Sequence, residues 1–250
     1  MNGTIAIRIL QDPPLDGPTN MARDEALLKS VGEGASPATL RLYQWDPPTI
    51  SLGYFQHYAD YEALDPPASR LAVVRRTTGG GAILHDLELT YSLTLPVSHP
   101  LLSNGADWLY GLAHDAIVAC LTELGAQTAR AGRSDDSGAA RGPFFCFHRR
   151  HAFDLLLGSE KIAGSAQRRT AHAILQHGSI ILGNRYEQQS TATVSVPFDR
   201  AVRRLRAILA SHLATLSGEE FQSGEWERPE VTAADSLTAK YVGEEWTRRV

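Results

Sequence analysis

Four short segments hold residues whose types and spacing could do chemistry. The first is Arg75-Arg76-Thr77-Thr78-Gly79-Gly80-Gly81-Ala82-Ile83-Leu84-His85-Asp86. Three consecutive glycines between strand-like runs let the backbone approach a ligand, because no Cβ stands in the way. Amides exposed in such a loop suit anions or carbonyl oxygens, and the neighbouring arginines supply fixed positive charge. A flexible turn between strands is the competing role. The segment is neither a G-x-G-x-x-G nor a Gly-Lys-Ser/Thr phosphate loop.

The second segment is Pro143-Phe144-Phe145-Cys146-Phe147-His148. A lone cysteine is commonly a small buried hydrophobe. Cys146, however, ends the polar loop Gly132 to Gly142, and catalytic groups concentrate at such loops. His148, Arg149, Arg150 and His151 follow it, and nearby cations favour a thiolate. Cys120 serves as the contrast, since it falls on the apolar side of a helix and belongs to the core. Cys146, His148 and His151 do not have a common zinc spacing, so no metal is expected.

The third segment is Gly158-Ser159-Glu160-Lys161-Ile162-Ala163-Gly164-Ser165-Ala166-Gln167-Arg168. Only Lys29, Lys161 and Lys240 are lysines, so 21 of the 24 basic residues are arginines. Lys161 sits in a strand beside small residues, where its ammonium could donate to a carbonyl oxygen or pair with a thiolate. A surface lysine in a hairpin is the competing role. The fourth segment is Leu175-Gln176-His177-Gly178-Ser179-Ile180, in which His177 could be a base, a hydrogen-bonding post or a structural residue. No G-x-S-x-G elbow accompanies it.

The elements that must position these residues follow from periodicity. Thr4 to Leu10, Leu40 to Trp45, Thr49 to Leu52, Leu71 to Val74, Ala82 to Leu84 and Leu87 to Leu95 read as strands. His151 to Leu157, Lys161 to Arg168 and His172 to Leu182 follow as three more. Asp12 to Thr19 reads as a Pro- and Gly-rich loop. Asn20 is expected to cap a helix, with Asp24 and Glu25 near its positive end. Tyr61 to Leu64 suggests a short helix. Ala106 to Gly125 has a broad apolar side at the helical period, and Pro197 opens another such helix. Gly218 to Glu230 reads as a polar linker and Ala233 to Val250 as an amphipathic helix. One catalytic domain over 1–250 is expected, its core about 1–217 and a helical tail over 218–250, with no separate accessory domain.

The chain has 250 residues, 43% hydrophobic and 21% charged, which is ordinary globular usage and excludes a largely disordered chain or a long coiled coil. Its net charge of −4 and the lack of a long basic run argue against nucleic acid as a partner. No apolar stretch is long enough to span a bilayer and no secretory signal is seen, so no membrane association is expected. Two cysteines make no disulfide framework, and a reducing cytoplasm is the expected setting.

The order of the segments is more specific than any one of them. R-R-x-x-G-G-G-A-x-x-H-D, then Cys-Phe, then G-x-K-I-x-G-S-A-Q-R, then L-Q-H-G-S-I resembles the lipoate-protein ligase A and octanoyltransferase branch of the biotin/lipoate protein ligase superfamily. Asn20 to Ala26 is similar to that family's first helix, and Leu237 to Trp246 to the ending of its octanoyltransferase members. The resemblance covers roughly Ile7 to Leu182. It implies an α/β (α+β) fold, a mixed, largely antiparallel sheet with flanking helices. It implies Cys146 and Lys161 as catalytic residues, the cysteine carrying the acyl group as a thioester and the lysine contacting the acyl carbonyl. It also implies that Arg75, Gly79, Gly80, Gly81 and His85 line the acyl and carrier pocket, with Gly164, Ser165, Gln167 and His177 added from the later motifs. The basic run His148 to His151 departs from the branch's usual pattern.

The activity so implied moves octanoyl from octanoyl-acyl carrier protein through Cys146 to a lysine of a lipoyl domain. Acceptors would be the glycine cleavage H protein or 2-oxoacid dehydrogenase E2 subunits, and no cofactor is needed. The alternatives are an ATP- and magnesium-dependent lipoate ligase, an amidotransferase between lipoyl domains, and a non-catalytic lipoyl- or acyl-binding module. Arg149, Arg150, Arg168 and Arg169 are candidates for part of a docking face for acidic partners.

Overall fold

The strands sort into two sheets in the computed structural model, which describes residues 6–132 and 143–250. In chain order the elements are β1 (Ile7–Leu15), α1 (Gly17–Gly32), β2 (Thr39–Trp45), β3 (Thr49–Leu52), α2 (Tyr58–Glu62), β4 (Ala72–Arg75), β5 (Ile83–His85) and β6 (Glu88–Pro96). There follow α3 (Ala106–Glu123), β7 (Thr128–Arg130), β8 (Leu155–Leu157), β9 (Glu160–Arg169), β10 (Ala173–Ile181), α4 (Phe198–Ser217), β11 (Phe221–Ser223), α5 (Arg228–Val242) and α6 (Glu244–Thr247). The larger sheet has the order β11-β1-β2-β6-β10-β9-β8-β7, the smaller β4-β3-β5. In the larger sheet β1 pairs in parallel with β11 and β2, and every other neighbouring pair is antiparallel. The sheet is therefore mixed and largely antiparallel, as the motifs implied.

Alternation along β6 explains how this sheet is covered. Leu89, Tyr91, Leu93 and Leu95 point to one face and Glu88, Thr90, Ser92 and Thr94 to the other, because strand side chains alternate. The first set joins Leu40 and Leu42 of β2 and the apolar sides of α3 and α4 in the main core, where Cys120 is fully buried. The second face is covered by α1, against which α5 packs in turn. The smaller sheet has its own apolar cluster, including Ile50, Leu52, Leu84 and Phe145. Among the described residues no helix is long and apolar enough to cross a membrane.

Several expectations need correction. The first helix begins at Gly17, one turn before Asn20; Asp16 is its cap and accepts from the Thr19 amide at 2.8 Å. Asp24 and Glu25 consequently lie beyond its first turn. Asn20 is buried, and its amide donates to Leu15 O and Gln44 O at 3.0 Å each, tying the helix to β1 and β2. β1 continues through Asp12-Pro13-Pro14 to Leu15, with a register shift between Gln11 and Pro14 that accommodates the missing proline N–H groups. The expected linker holds β11, so the stretch after residue 217 is not purely helical: Phe221 to Ser223 extend the sheet beside β1. The strand expected over His151 to Leu157 shrinks to Leu155–Leu157, and β7 was not anticipated. The loop Gly132 to Gly142 lies outside the described residues apart from Gly132, and the start of the Thr4 strand also lies outside them.

Candidate active site

Lys161 owes its position to an irregularity in a hairpin. β8 and β9 shift register between Leu155 and Leu156, so that Leu155 opposes Ala163 while Leu156 opposes Lys161. Ile162 and Ala163 both enter the core, and Lys161 shares the opposite face with Gly164. A Cβ on Gly164 would fall 2.5 Å from Lys161 Cε and 2.8 Å from Nζ, so the glycine makes room for the lysine. Lys161 Nζ lies 2.7 Å from Asp154 Oδ2, and both side chains are nearly buried. Nζ is also 3.7 Å from Cys146 Sγ and 3.5 Å from Cys146 O, and 5.1 Å from the centre of the Phe147 ring.

Cys146 starts a single 3₁₀ turn, Cys146–His148. Phe145 and Phe147 are buried on either side of it, while Cys146 is half-buried. The Cys146 amide donates to Ala82 O at 2.7 Å, and the Ala82 amide to Phe144 O at 2.9 Å. The cysteine is thereby fastened to the end of the glycine loop. Contact is direct: a Cβ on Gly81 would come within 2.9 Å of Cys146 N and 3.0 Å of Phe144 O. Gly80 has φ +94°, a conformation that favours glycine.

These groups border one cavity of about 300 Å³, at the lower end of the range for small-molecule sites. Cys146, Lys161, Gly79, Gly80, Gly81, His85, Gly164, Ser165, Gln167 and His177 all line it. Met21, Tyr43, Trp45 and Ile83 give it an apolar wall, and Arg149, Arg150 and His151 also border it. Arg75 does not. It is fully buried and points away, donating to Thr247 O at 3.0 and 2.8 Å, to Gly53 O at 2.8 Å and to Gln56 O at 2.7 Å. Placing Arg75 in the pocket was one residue out, because adjacent side chains of a strand face opposite ways.

Of this adjacent pair, Arg76 is the one that lines the cavity. Its Nη2 donates to Gly79 O and Gly81 O, both at 2.7 Å, and so shapes the glycine loop. Two polar chains start from it. In one, Nε donates to Thr78 Oγ1 (3.1 Å), the Thr78 hydroxyl meets His177 Nε2 (2.8 Å), and His177 Nδ1 meets Asp24 Oδ2 (3.1 Å). In the other, Nη1 donates to Ser51 Oγ (3.1 Å), Ser51 meets His85 Nε2 (2.7 Å), and His85 Nδ1 meets Glu88 Oε1 (2.9 Å). Carboxylates only accept, so both histidines carry the proton on Nδ1 and accept at Nε2. His85 also stacks on Trp45 at 3.8 Å.

Burial lowers the Arg76 pKa to about 10, partly offset by its proximity to Cys146. Burial also lowers that of His85, against the pull of Glu88. For Asp24, burial pushes the other way, yet hydrogen bonds and charge from His177 and Arg41 hold its carboxyl below the ordinary value. Asp154, Arg76, Asp24 and Glu88 were not anticipated as site residues. Among the described residues no three His, Cys, Asp or Glu side chains gather as metal ligands.

A thiol beside an ammonium, backed by a glycine loop and opening on a partly apolar cavity, fits the class of domains that carry and transfer acyl groups. The fold has solved counterparts. The structure of a lipoate-protein ligase A bound with ATP superposes with a TM-score of 0.75 at 24% identity, covering 98% of this chain and 99% of that one. A bipartite lipoate protein ligase from Thermoplasma acidophilum, studied with its E2 lipoyl domain, gives 0.70 at 21%, covering 98% and 96%. Residues 16–224 match the family described as the lipoyl protein ligase A/B catalytic domain, and the chain belongs to that family. It is 35% identical over 261 aligned positions to the octanoyltransferase LipM of Kyrpidia tusciae, covering 92% of this chain and 94% of that protein. It is 43% identical over 181 positions to the LipM of Moorella thermoacetica, covering 70% of this chain and 64% of that protein.

Proposed function

We propose that this chain is a protein N-octanoyltransferase that works through a Cys146 acyl-enzyme. The observation that carries this reading is the 3.7 Å approach of Lys161 Nζ to Cys146 Sγ inside the cavity that the glycine loop also lines. The similarity to octanoyltransferases over most of the chain supports it. The Cys146 thiolate attacks the thioester carbonyl of octanoyl-acyl carrier protein. A new C–S bond forms, the tetrahedral centre collapses, the carrier's C–S bond breaks, and the carrier thiolate leaves. Lys161 and the glycine-loop amides donate to the oxyanion. One thioester replaces another, so this step needs no ATP. The neutral amine of a lysine on a lipoyl domain then attacks the acyl-enzyme. The amide C–N bond forms, the C–S bond breaks, and the departing Cys146 thiolate takes the amine proton. His85 and His177 have both nitrogens in hydrogen bonds to Ser51, Glu88, Thr78 and Asp24, which favours the thiolate over either ring as the acceptor. Against the apolar wall each buried CH₂ contributes about 0.8 kcal/mol, enough to select chain length.

The test is an intact mass after mixing with octanoyl-acyl carrier protein without ATP. The expected outcome is an octanoyl adduct that hydroxylamine removes, that a lipoyl domain discharges, and that Cys146→Ser abolishes. Acylation that appears only with octanoate and ATP, and survives Cys146→Ser, would overturn the reading in favour of a ligase.

A further inference from the structure

The loop after β3 carries an exposed aromatic ring and is tied to the two segments that hold the glycine run and Cys146. The Tyr54 amide donates to Thr78 O at 2.8 Å, one residue before the glycine run. Gln56 Nε2 donates to Phe144 O at 3.0 Å, two residues before Cys146. Between them Phe55 is 75% exposed, the most exposed of the large apolar side chains, with its ring edge-on to Tyr54 at 4.8 Å. A phenylalanine held out beside a reactive site suits an anchor for a partner, since aromatic anchors dominate interface energetics.

Arginines stack on the rings beside it. Arg249 lies 4.1 Å over Tyr54 and 5.0 Å over Trp246, and Arg168 lies 5.3 Å over Tyr54. Arg169 follows Arg168 on β9 and is also exposed. Arg248, 4.4 Å over Tyr58, is paired with Glu62 and Glu244. Among the described residues, no carboxylate pairs with Arg168, Arg169 or Arg249. Arg168 and Arg249 thus meet on the Tyr54 ring without a carboxylate partner, in a chain whose net charge is −4, while Arg169 faces the other side of β9. Stacking on rings holds their guanidinium planes in place, and those planes fit carboxylates and phosphates in two-point contact. The patch is continuous with the site, because Gln167, next to Arg168, lines the cavity.

We infer that Phe55, Arg168 and Arg249 dock an acidic acyl-carrier domain whose thioester arm is attached through a phosphodiester. This rests on the acyl-transfer reading above and assigns the patch to the acyl donor rather than to the lipoyl acceptor. The domain's carboxylates and the phosphate of its arm complement the unpaired guanidinium groups, and its apolar surface meets Phe55.

The experiment follows Cys146 octanoylation by mass, with octanoyl-acyl carrier protein and in parallel with the small thioester octanoyl-N-acetylcysteamine. Phe55→Ser combined with Arg249→Glu should slow charging from the carrier protein about 10- to 100-fold. Charging from the small thioester should not change, which also shows that the variant is folded. Added salt should slow only the carrier reaction of the wild type. An equal loss with both donors, no loss with either, or a loss confined to discharge onto a lipoyl domain would each overturn the assignment. If the wild type takes octanoyl from neither donor, the acyl-transfer reading fails. Fluorescence anisotropy of the unacylated carrier protein then decides docking separately: weaker binding by the variant supports the assignment, and equal binding overturns it.

Discussion

The two faces of the eight-stranded sheet are both buried, yet they are built from opposite chemistry. Toward α3 and α4 the sheet presents Leu40, Leu42, Leu89, Leu93, Ile174 and Ile180. Toward α1 it presents Arg41, Tyr43, Thr90, Ser92, His177 and Ser179, all buried. Apolar packing is non-directional and tolerates small rearrangements, whereas a buried polar group needs its partners in place. Arg41 shows how fully the second face meets that need. Its guanidinium meets Asp12, Asp24 and the Asn20 side chain, each at 2.7 Å. The Asp24 carboxylate in turn accepts from Tyr43 at 2.9 Å and Ser92 at 2.9 Å, and meets His177. The apolar face holds the layers together. The polar face fixes directions, and the cavity with Lys161 and Cys146 opens on that side.

The largest effect is expected where the polar side is most highly charged. Lys161→Ala should lower the transfer rate about 10²–10³-fold by removing an oxyanion donor. It should also cost about 3–5 kcal/mol of stability, because Asp154 is left buried without its cation. Lys161→Met combined with Asp154→Leu removes both charges and should recover most of that stability, but none of the activity. Urea unfolding and single-turnover acylation separate the two effects. Equal unfolding midpoints for the single and double variants would show that the charges are not coupled.

A second pair of substitutions compares the faces directly. Leu93→Ala should lower stability by about 2–5 kcal/mol and leave the turnover of the folded protein unchanged. Asp24→Asn should cost about 3 kcal/mol by breaking the buried pair with Arg41. It should also lower turnover, because an amide can present a donor to His177 Nδ1 and so reverse the Thr78–His177–Asp24 chain. If both variants keep wild-type turnover, the polar face has no part in positioning the site.

What was legible in the sequence divides along the same line. The alternation Glu-Leu-Thr-Tyr-Ser-Leu-Thr-Leu-Pro is a local signal and gave β6 both its strand and its two faces. The glycine run, Cys146 and Lys161 stand out by type and spacing, and the cavity brings them together. Asp154 was hidden because its contact with Lys161 depends on a hairpin with an irregular register. Arg75 ends β4 and Arg76 follows it, their side chains on opposite sides of the chain, and the local pattern does not say which side is the cavity. Asp16 and Asn20 are both good caps; Asn20 instead lies inside the helix, where its Oδ1 accepts from Arg41 and its amide is held by Leu15 O and Gln44 O. β11 is three residues of mixed character that become a strand only by pairing with the distant β1.

The most gradual effect is a pH dependence that begins on the apolar side. His114 on α3 donates from Nδ1 to Phe153 O, since a carbonyl can only accept. Its Nε2, 2.7 Å from Ser165 Oγ, therefore accepts. Ser165 in turn accepts from Tyr91 at 2.8 Å, and Tyr91 from Gln176 at 2.7 Å. Burial lowers the His114 pKa to about 4 from 6.5, outweighing the Phe153 carbonyl and Asp154, which favour the cation. The unfolded chain then binds the proton first as pH falls from 6.5 toward 4. Over that window His114 should withdraw stability with a limiting slope of about 1.4 kcal/mol per pH unit. Asp12 and Asp24 have lowered values against 3.8, so their contribution is complete above 3.8 and is lost only at lower pH. His85 and His99, also lowered from 6.5 by burial, act in the same direction, so acid destabilisation should start with the buried histidines and reach the carboxylates of the polar face later. Replacing His114 with Gln should partly flatten urea midpoints between pH 6.5 and 4 and leave the lower limb intact. An unchanged slope in that window would remove His114 as a source of it. Because Ser165 lines the cavity, wild-type turnover should also weaken as His114 gains its proton, and turnover of His114→Gln should lack that step.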